Sequence, residues 1–318
     1  MRKRFVVVVM LLGASAAALG AGVSYAGEAA TRLGIEPAAR HQVLAVGAEN
    51  QYANVISQIG GSYVKVMAIM SNPNSDPHTF EASPAVAREI ADAQLIVQNG
   101  LGYDSFMNKL EAASPARSRR VMTVQNLLGL SDSTPNPHLW YSPTTMPKVA
   151  AGIAAALSAD LPAERAVFAA NLLRFKASMS SWLKVVHELA FTKSHPQVAT
   201  TEPVADALLA AAKVQNATPW AFQADAMNGI DPSPQGVQIE ENLLSRHLVA
   251  AFVYNAQVQD TLTASLLQIA TDHHVPVVAV YETMPTPGYS YQSWMTAETT
   301  ALLRAIQDRV STKHLGAT

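Results

Sequence analysis

The chain has 318 residues, 49% hydrophobic and 14% charged, with a formal net charge of −2 and a pI near 6.5. That composition can bury a large core and carries no disordered bias. It offers no basic face for nucleic acid and no polybasic patch for a membrane surface. Cysteine is absent, which excludes disulfides, thiolate metal sites, cysteine nucleophiles and the acylation site of a bacterial lipoprotein.

Met1-Arg2-Lys3-Arg4 forms a positive n-region, Phe5 to about Gly20 is apolar, and Ser24-Tyr25-Ala26 supplies the small residues signal peptidase prefers. Residues 1–26 therefore read as a cleaved signal peptide, with a retained single N-terminal anchor as the alternative. Residues 27–42 read as a mobile leader of small and charged side chains. About 290 residues remain, for which two domains are the default.

Val43 to Ala48 is a short apolar run, Asn50 to Ile59 is helix-like, and Val64 to Met70 is a second apolar run. Ser83-Pro84 opens a helix through Ala93, Leu95-Ile96-Val97 forms a strand ending at Asn99-Gly100, and Arg120 to Val124 is a further strand. From Thr144 to about Ala190 the sequence is helical and Ala-rich, interrupted at Leu161-Pro162. Its second part carries Val167, Leu172, Phe175, Met179, Leu183 and Val186 at helical spacing. From Ala163 this makes a rod of roughly 40 Å, long enough to cross between lobes.

Alternation then resumes. Val198 to Thr201, Trp220-Ala221-Phe222, Ala251 to Asn255 and Val275 to Tyr281 are strand segments. They are separated by helices from Pro203 to Lys213, Pro234 to His247 and Leu262 to Asp272, and Gln292 to Val310 closes the chain. Strand and helix alternation implies parallel βαβ units. The fold class is α/β: two lobes, each with a mostly parallel sheet flanked by helices, joined by one long rigid helix. The expected divisions are an N-terminal lobe over 43–143, a helical linker over 144–190 and a C-terminal lobe over 191–318. In such a fold a ligand sits between the lobes at the carboxyl ends of strands.

Of nine histidines, His41, His195, His247 and His314 lie in polar stretches. His187 is on the long helix, and His273-His274 end a helix where imidazole suits the dipole. His78 and His138 differ. Each follows a proline in a polar loop, in Asp76-Pro77-His78 and Asn136-Pro137-His138, and each precedes an aromatic two residues on, Phe80 and Trp140. The pattern would fix backbone direction and shield an imidazole, although either could be an ordinary loop histidine. Glu202 follows Val198 to Thr201, and Glu282 follows the Val275 to Tyr281 run. An acid closing an apolar strand is either a capping or rim group, or one aimed into a cleft.

Several segments together resemble the metal-binding solute-binding proteins of bacterial zinc and manganese ABC transporters. Ser71-Asn72-Pro73, Asp76-Pro77-His78, Glu81-Ala82-Ser83-Pro84 and Asn99-Gly100 are similar to the first metal-ligand region. Asn136-Pro137-His138-Leu139-Trp140 is similar to the second, and Thr200-Thr201-Glu202 to the third, where zinc carriers typically have His and many manganese carriers Glu. Val280-Tyr281-Glu282-Thr283-Met284-Pro285 with Ser290-Tyr291-Gln292-Ser293-Trp294-Met295 resembles the fourth, where Asp is commoner.

The resemblance runs from about Val43 to the last helix. It implies two lobes bridged by a rigid helix and limited closure on binding. It also implies a metal site of His78, His138, Glu202 and Glu282 holding one divalent ion as cargo, Zn²⁺ or Mn²⁺, with Fe²⁺ a third candidate. Its partners would be the permease and ATPase of a metal ABC importer. On that reading the protein is not an enzyme. It is an exported, monomeric binding protein of the periplasm, without a lipid anchor and without affinity for nucleic acid.

Two neutral imidazoles and two carboxylates neutralise a divalent cation, and oxygen-rich ligation suits manganese while still permitting zinc. The stretch from Val124 to Asn136 is short and holds no histidine, unlike the His- and acid-rich loop of many dedicated zinc carriers. The competing classes are a metal-dependent hydrolase, and an organic-solute or adhesion protein on the same fold. No His-Glu-x-x-His helix is present.

Overall fold

The computed structural model describes residues 42–72, 84–192, 196–258, 260–285 and 287–316. The expected signal peptide, all of the leader but Gln42, and His78 lie outside the described residues.

The first half forms β1 (Val43–Glu49), α1 (Asn50–Gly60), β2 (Val64–Met70), α2 (Pro84–Ala91), β3 (Leu95–Gln98), α3 (Ser105–Ala113), β4 (Arg120–Thr123) and α4 (Val124–Leu128). The strands make one parallel sheet in the order β2-β1-β3-β4. Both faces are covered, so β1 reads as a continuous apolar run rather than an alternating one. Val43 and Ala45 enter one core, and Val46 and Ala48 enter a second with Ile69, Ile90, Ile96, Met107 and Leu110. Tyr52, Val55, Ile56 and Ile59 bury one face of α1 against this sheet. Gly47 permits the approach, since a Cβ there would lie 2.3 Å from the backbone nitrogen of Ala53.

The linking helices are α5 (Thr145–Asp160), α6 (Arg165–Ser178) and α7 (Ser180–Ala190). The rod expected from Ala163 carries one turn residue, Met179. There the Ser178 hydroxyl donates to Phe175 O at 2.7 Å and Met179 N to Lys176 O at 3.3 Å, three-residue spacings that tighten the coil.

The second half forms β5 (Gln197–Thr200), α8 (Asp206–Ala211), β6 (Gln215–Asn216), α9 (Trp220–Met227), α10 (Pro234–Ser245), β7 (Ala251–Asn255), α11 (Thr261–Asp272), β8 (Val277–Val280) and α12 (Tyr291–Asp308). Its parallel sheet has the order β6-β5-β7-β8, the first sheet's order repeated. Trp220-Ala221-Phe222, expected as a strand, is the first turn of α9. Pro219 precedes it with a fixed φ of −58°, an entry that overrides the β preference of two aromatics. The edge strand is instead the two-residue β6.

The two halves also meet directly. Tyr141 donates to Tyr281 O (2.7 Å) or Glu298 (2.6 Å). The Asn50 side chain bonds both backbone polar groups of Met284, at 2.8 and 2.9 Å, and Asn54 accepts from Tyr291 N at 3.0 Å. Trp140, Tyr141, Trp182, Tyr291 and Trp294 are fully buried in the core that both sheets share. Among the described residues no helix is long and apolar enough to cross a membrane.

Candidate metal centre

The carboxyl ends of β5, β7 and β8 bring Glu202, Asn255 and Glu282 to one place, and the loop before the short turn Leu139–Tyr141 lays His138 against them. All four are buried. His138 Nε2 lies 3.1 Å from Glu282 Oε2, both side chains having no exposed area. Asn255 Nδ2 donates to Glu282 Oε1 at 2.6 Å and reaches Glu202 Oε2 at 3.3 Å, so one amide holds both carboxylates. A cavity of about 290 Å³ opens beside Glu202, lined by Phe222, Met227, Ile230, Asp260 and Leu262 among others.

The proton positions follow from the network. Asn136 Nδ2 donates to Pro203 O at 2.7 Å, which orients its amide and turns Oδ1 toward His138. That oxygen accepts from the His138 backbone N–H at 2.9 Å and takes the Nδ1 proton at 2.8 Å. With Nδ1 engaged by Asn136, Nε2 is the ring nitrogen turned toward Glu282. At 3.1 Å a proton on Nε2 makes this contact a hydrogen bond, and a metal ion would take the place of that proton. Tetrahedral ligand atoms at zinc bond lengths are themselves roughly 3.3 Å apart.

The surroundings exclude water. Tyr103 and Trp140 pack edge-on against the His138 ring, with centroids 5.9 and 5.5 Å away, as the Pro-His-x-aromatic pattern predicts for this loop. Burial, reinforced by the Glu282 charge, pushes the Tyr103 phenol well above its usual range. Asp206 opens α8, and burial raises its pKa against the hydrogen bond from Asn216. The Glu282 backbone is pinned: Gln257 Oε1 accepts from Glu282 N at 2.6 Å and Thr283 N at 2.7 Å, and Gln51 Nε2 donates to Glu282 O at 3.2 Å.

The profile of the zinc-uptake complex component A periplasmic family matches residues 46–305. The chain belongs to this family. The manganese-binding lipoprotein MntA of Bacillus subtilis is 25% identical over 175 residues, covering 53% of this chain and 54% of MntA. The high-affinity zinc uptake protein ZnuA of Haemophilus ducreyi is 25% identical over 136 residues, 33% of this chain and 44% of that protein. The matched segments thus span about half, or less, of these curated relatives.

Among solved structures, a Mn-bound periplasmic metal-binding protein from Candidatus Liberibacter asiaticus superposes with a TM-score of 0.70 at 18% identity. The match covers 83% of this chain and 100% of that one. The solute-binding protein FpvC of Pseudomonas aeruginosa, in complex with Mn²⁺, gives 0.70 at 18% identity over 84% of this chain and 99% of that one. At these identities the structures establish the shared fold of the zinc-uptake component A family.

The structure thus joins His138 to Glu282 directly and Glu202 to Glu282 through Asn255, while His78 lies outside the described residues. Among the described residues no three His, Asp or Glu side chains close round one point. His187, His247, His274 and His314 are exposed. His247 and His274 are each in the left-handed conformation (φ 54°) just past a helix end, a structural use of those residues. Sequence reasoning missed Asn136, Asn255, Gln257, Tyr103 and Asp206. Asn255 could have been found, because it ends an apolar strand as a lone polar residue, as Glu202 nearly does.

Proposed function

We propose that this chain is an exported binding protein that captures one divalent transition-metal ion and delivers it to the permease and ATPase of an ABC importer. His78, His138, Glu202 and Glu282 are its metal ligands. The observation that carries the reading is the buried His138–Glu282 contact at 3.1 Å, an imidazole nitrogen and a carboxylate brought together out of water with Glu202 tied to the same carboxylate through Asn255. Family membership supports it, as does similarity to a manganese-binding lipoprotein and to a zinc uptake protein.

Asn255 restrains the two carboxylates, and the Asn136 bond leaves Nε2 as the metal-facing atom, the outer-shell arrangement that raises ligand basicity and fixes ring orientation. Two carboxylates suit Mn²⁺ as cargo and still permit Zn²⁺. The divalent affinity order favours Zn²⁺ in a simple binding assay, so cellular delivery decides between them. The periplasm is the compartment that suits a signal peptide without an acylation cysteine. A hydrolase reading is disfavoured by the transport family.

The test is metal analysis of chelator-stripped protein after separate saturation with Mn²⁺, Zn²⁺ and Fe²⁺, combined with uptake of each ion by cells lacking the gene. One equivalent of bound metal and an uptake defect are expected. Protein that takes up none of the three ions would refute the proposal.

A further inference from the structure

The first sheet holds an acid whose isolation the fold does not explain. Glu49, the last residue of β1, has no exposed area, and among the described residues neither carboxylate oxygen has a hydrogen-bond partner. It precedes α1 without capping it, since its side chain makes no bond to the helix N-terminus. Its ionisable neighbours make matters worse. Burial, with the charge of Asp104 adding to it, pushes the Glu49 carboxyl well above the usual range. Asp104, by contrast, accepts from the backbone N–H of Asn99 and of Gly100. A buried acid whose oxygens find no hydrogen bond from another residue among the described residues is costly and calls for a functional account.

Strand register supplies one. In the first sheet Gly47 pairs with Val97, so two residues further on Glu49 stands opposite Asn99. In the second, Thr200 pairs with Val253, and two further on Glu202 stands opposite Asn255. Each sheet therefore sets a Glu from its first strand against an Asn from its third, at the point where strand order reverses and open α/β sheets bind ligands.

The two corners are also physically connected. Asn99 Nδ2 donates to Pro137 O, at 2.9 Å, in the loop that carries His138. Tyr52 donates to Asn99 Oδ1 at 2.6 Å and lies in the field of Glu49. Tyr103, packed against the His138 ring, feels both Glu282 and Glu49.

We propose that Glu49 is a further cargo-binding carboxylate, the first sheet's counterpart of Glu202, whose counter-charge is the divalent ion itself. This rests on the metal-binding reading above. Ion entry would convert a destabilising buried acid into an attractive partner and add a third anionic oxygen group to the site. Oxygen donors suit Mn²⁺ in particular.

The experiment compares full-length wild type, Glu49→Gln and Glu49→Met by competition with a fluorescent chelator for Mn²⁺ and Zn²⁺, and by melting of the chelator-stripped protein. Both variants remove a buried acid at similar volume, so the metal-free melting temperature should hold or rise. Mn²⁺ affinity should fall at least fivefold in both, and Glu49→Asp, which keeps the charge, should recover part of the loss. Affinity that falls less than fivefold in the folded variants overturns the proposal. So does a metal-free melting temperature lowered in both, since Glu49 would then be structural. Wild type that binds neither ion refutes the proposed function instead, so the two failures are distinguishable.

Discussion

The two sheets repeat one strand order and one Glu-and-Asn register, yet their carboxylates are treated in opposite ways. Glu202 shares the Asn255 amide with Glu282 and reaches a cavity. Glu49 sits among Tyr52, Tyr103 and Asp104 with nothing bonded to its oxygens. In the first sheet the equivalent amide, Asn99, is spent on Tyr52, Gly100 and the Pro137 carbonyl. Equal topology therefore supplies equal positions, and the side chains around those positions decide how each carboxylate is held.

The strongest way to break this picture is at the second sheet. Glu282→Ala or His138→Ala should lower affinity for Mn²⁺ and Zn²⁺ by roughly a hundredfold or more, and the metal-induced rise in melting temperature should vanish with it. Calorimetric titration with a circular dichroism control checks this, and retained stabilisation by metal in both variants would sink the assignment. At the first sheet, Gly47→Ala forces a Cβ against the Ala53 backbone nitrogen at 2.3 Å. Urea unfolding of metal-free protein should show a loss of about 2–3 kcal/mol; an unchanged midpoint would mean that α1 can shift freely.

Smaller effects sharpen the contrast. Asn255→Ala unties Glu202 from Glu282 without touching a proposed ligand, and should reduce affinity about tenfold while the protein stays folded. Tyr141→Phe removes the bonds to Tyr281 and Glu298 across the seam and should cost about 1–2 kcal/mol, read by denaturant titration.

The finest probe is pH. Burial lifts the Glu298 carboxyl from 4.5 to about 8, against the pull of its bonds from Tyr141 and Trp294. The folded state thus holds a proton that the unfolded chain releases near 4.5. The resulting stabilisation is present below that pH and is lost as pH rises through about 8. Melting of wild type relative to Glu298→Gln, without metal, should fall between pH 5 and pH 9; a constant difference would show that Glu298 ionises normally.

Much of this was legible in order along the chain. The alternation of apolar runs and helical stretches yielded seven of the eight strands, because covered parallel strands are near-continuous apolar runs. The exception, the edge strand Gln215–Asn216, is two polar residues whose strand state is set by pairing with β5 and not by their own preference. The Asn-Pro-His-x-Trp motif marked a buried imidazole because its shielding aromatic is local. Glu202 and Glu282 stood out as acids closing apolar strands, but their common destination was not local information.

By itself, then, the sequence determined the α/β class, the two parallel sheets with helices between them, and the family through four ordered motifs. Those depend on periodicities and short-range spacing that a linear chain displays. Only the tertiary structure decided that His138 meets Glu282 across 144 residues, that one amide serves two carboxylates, and that Glu49 finds no hydrogen-bond partner among the described residues. Each is a statement about which groups exclude water from one another, and that is settled when the two sheets close a common core.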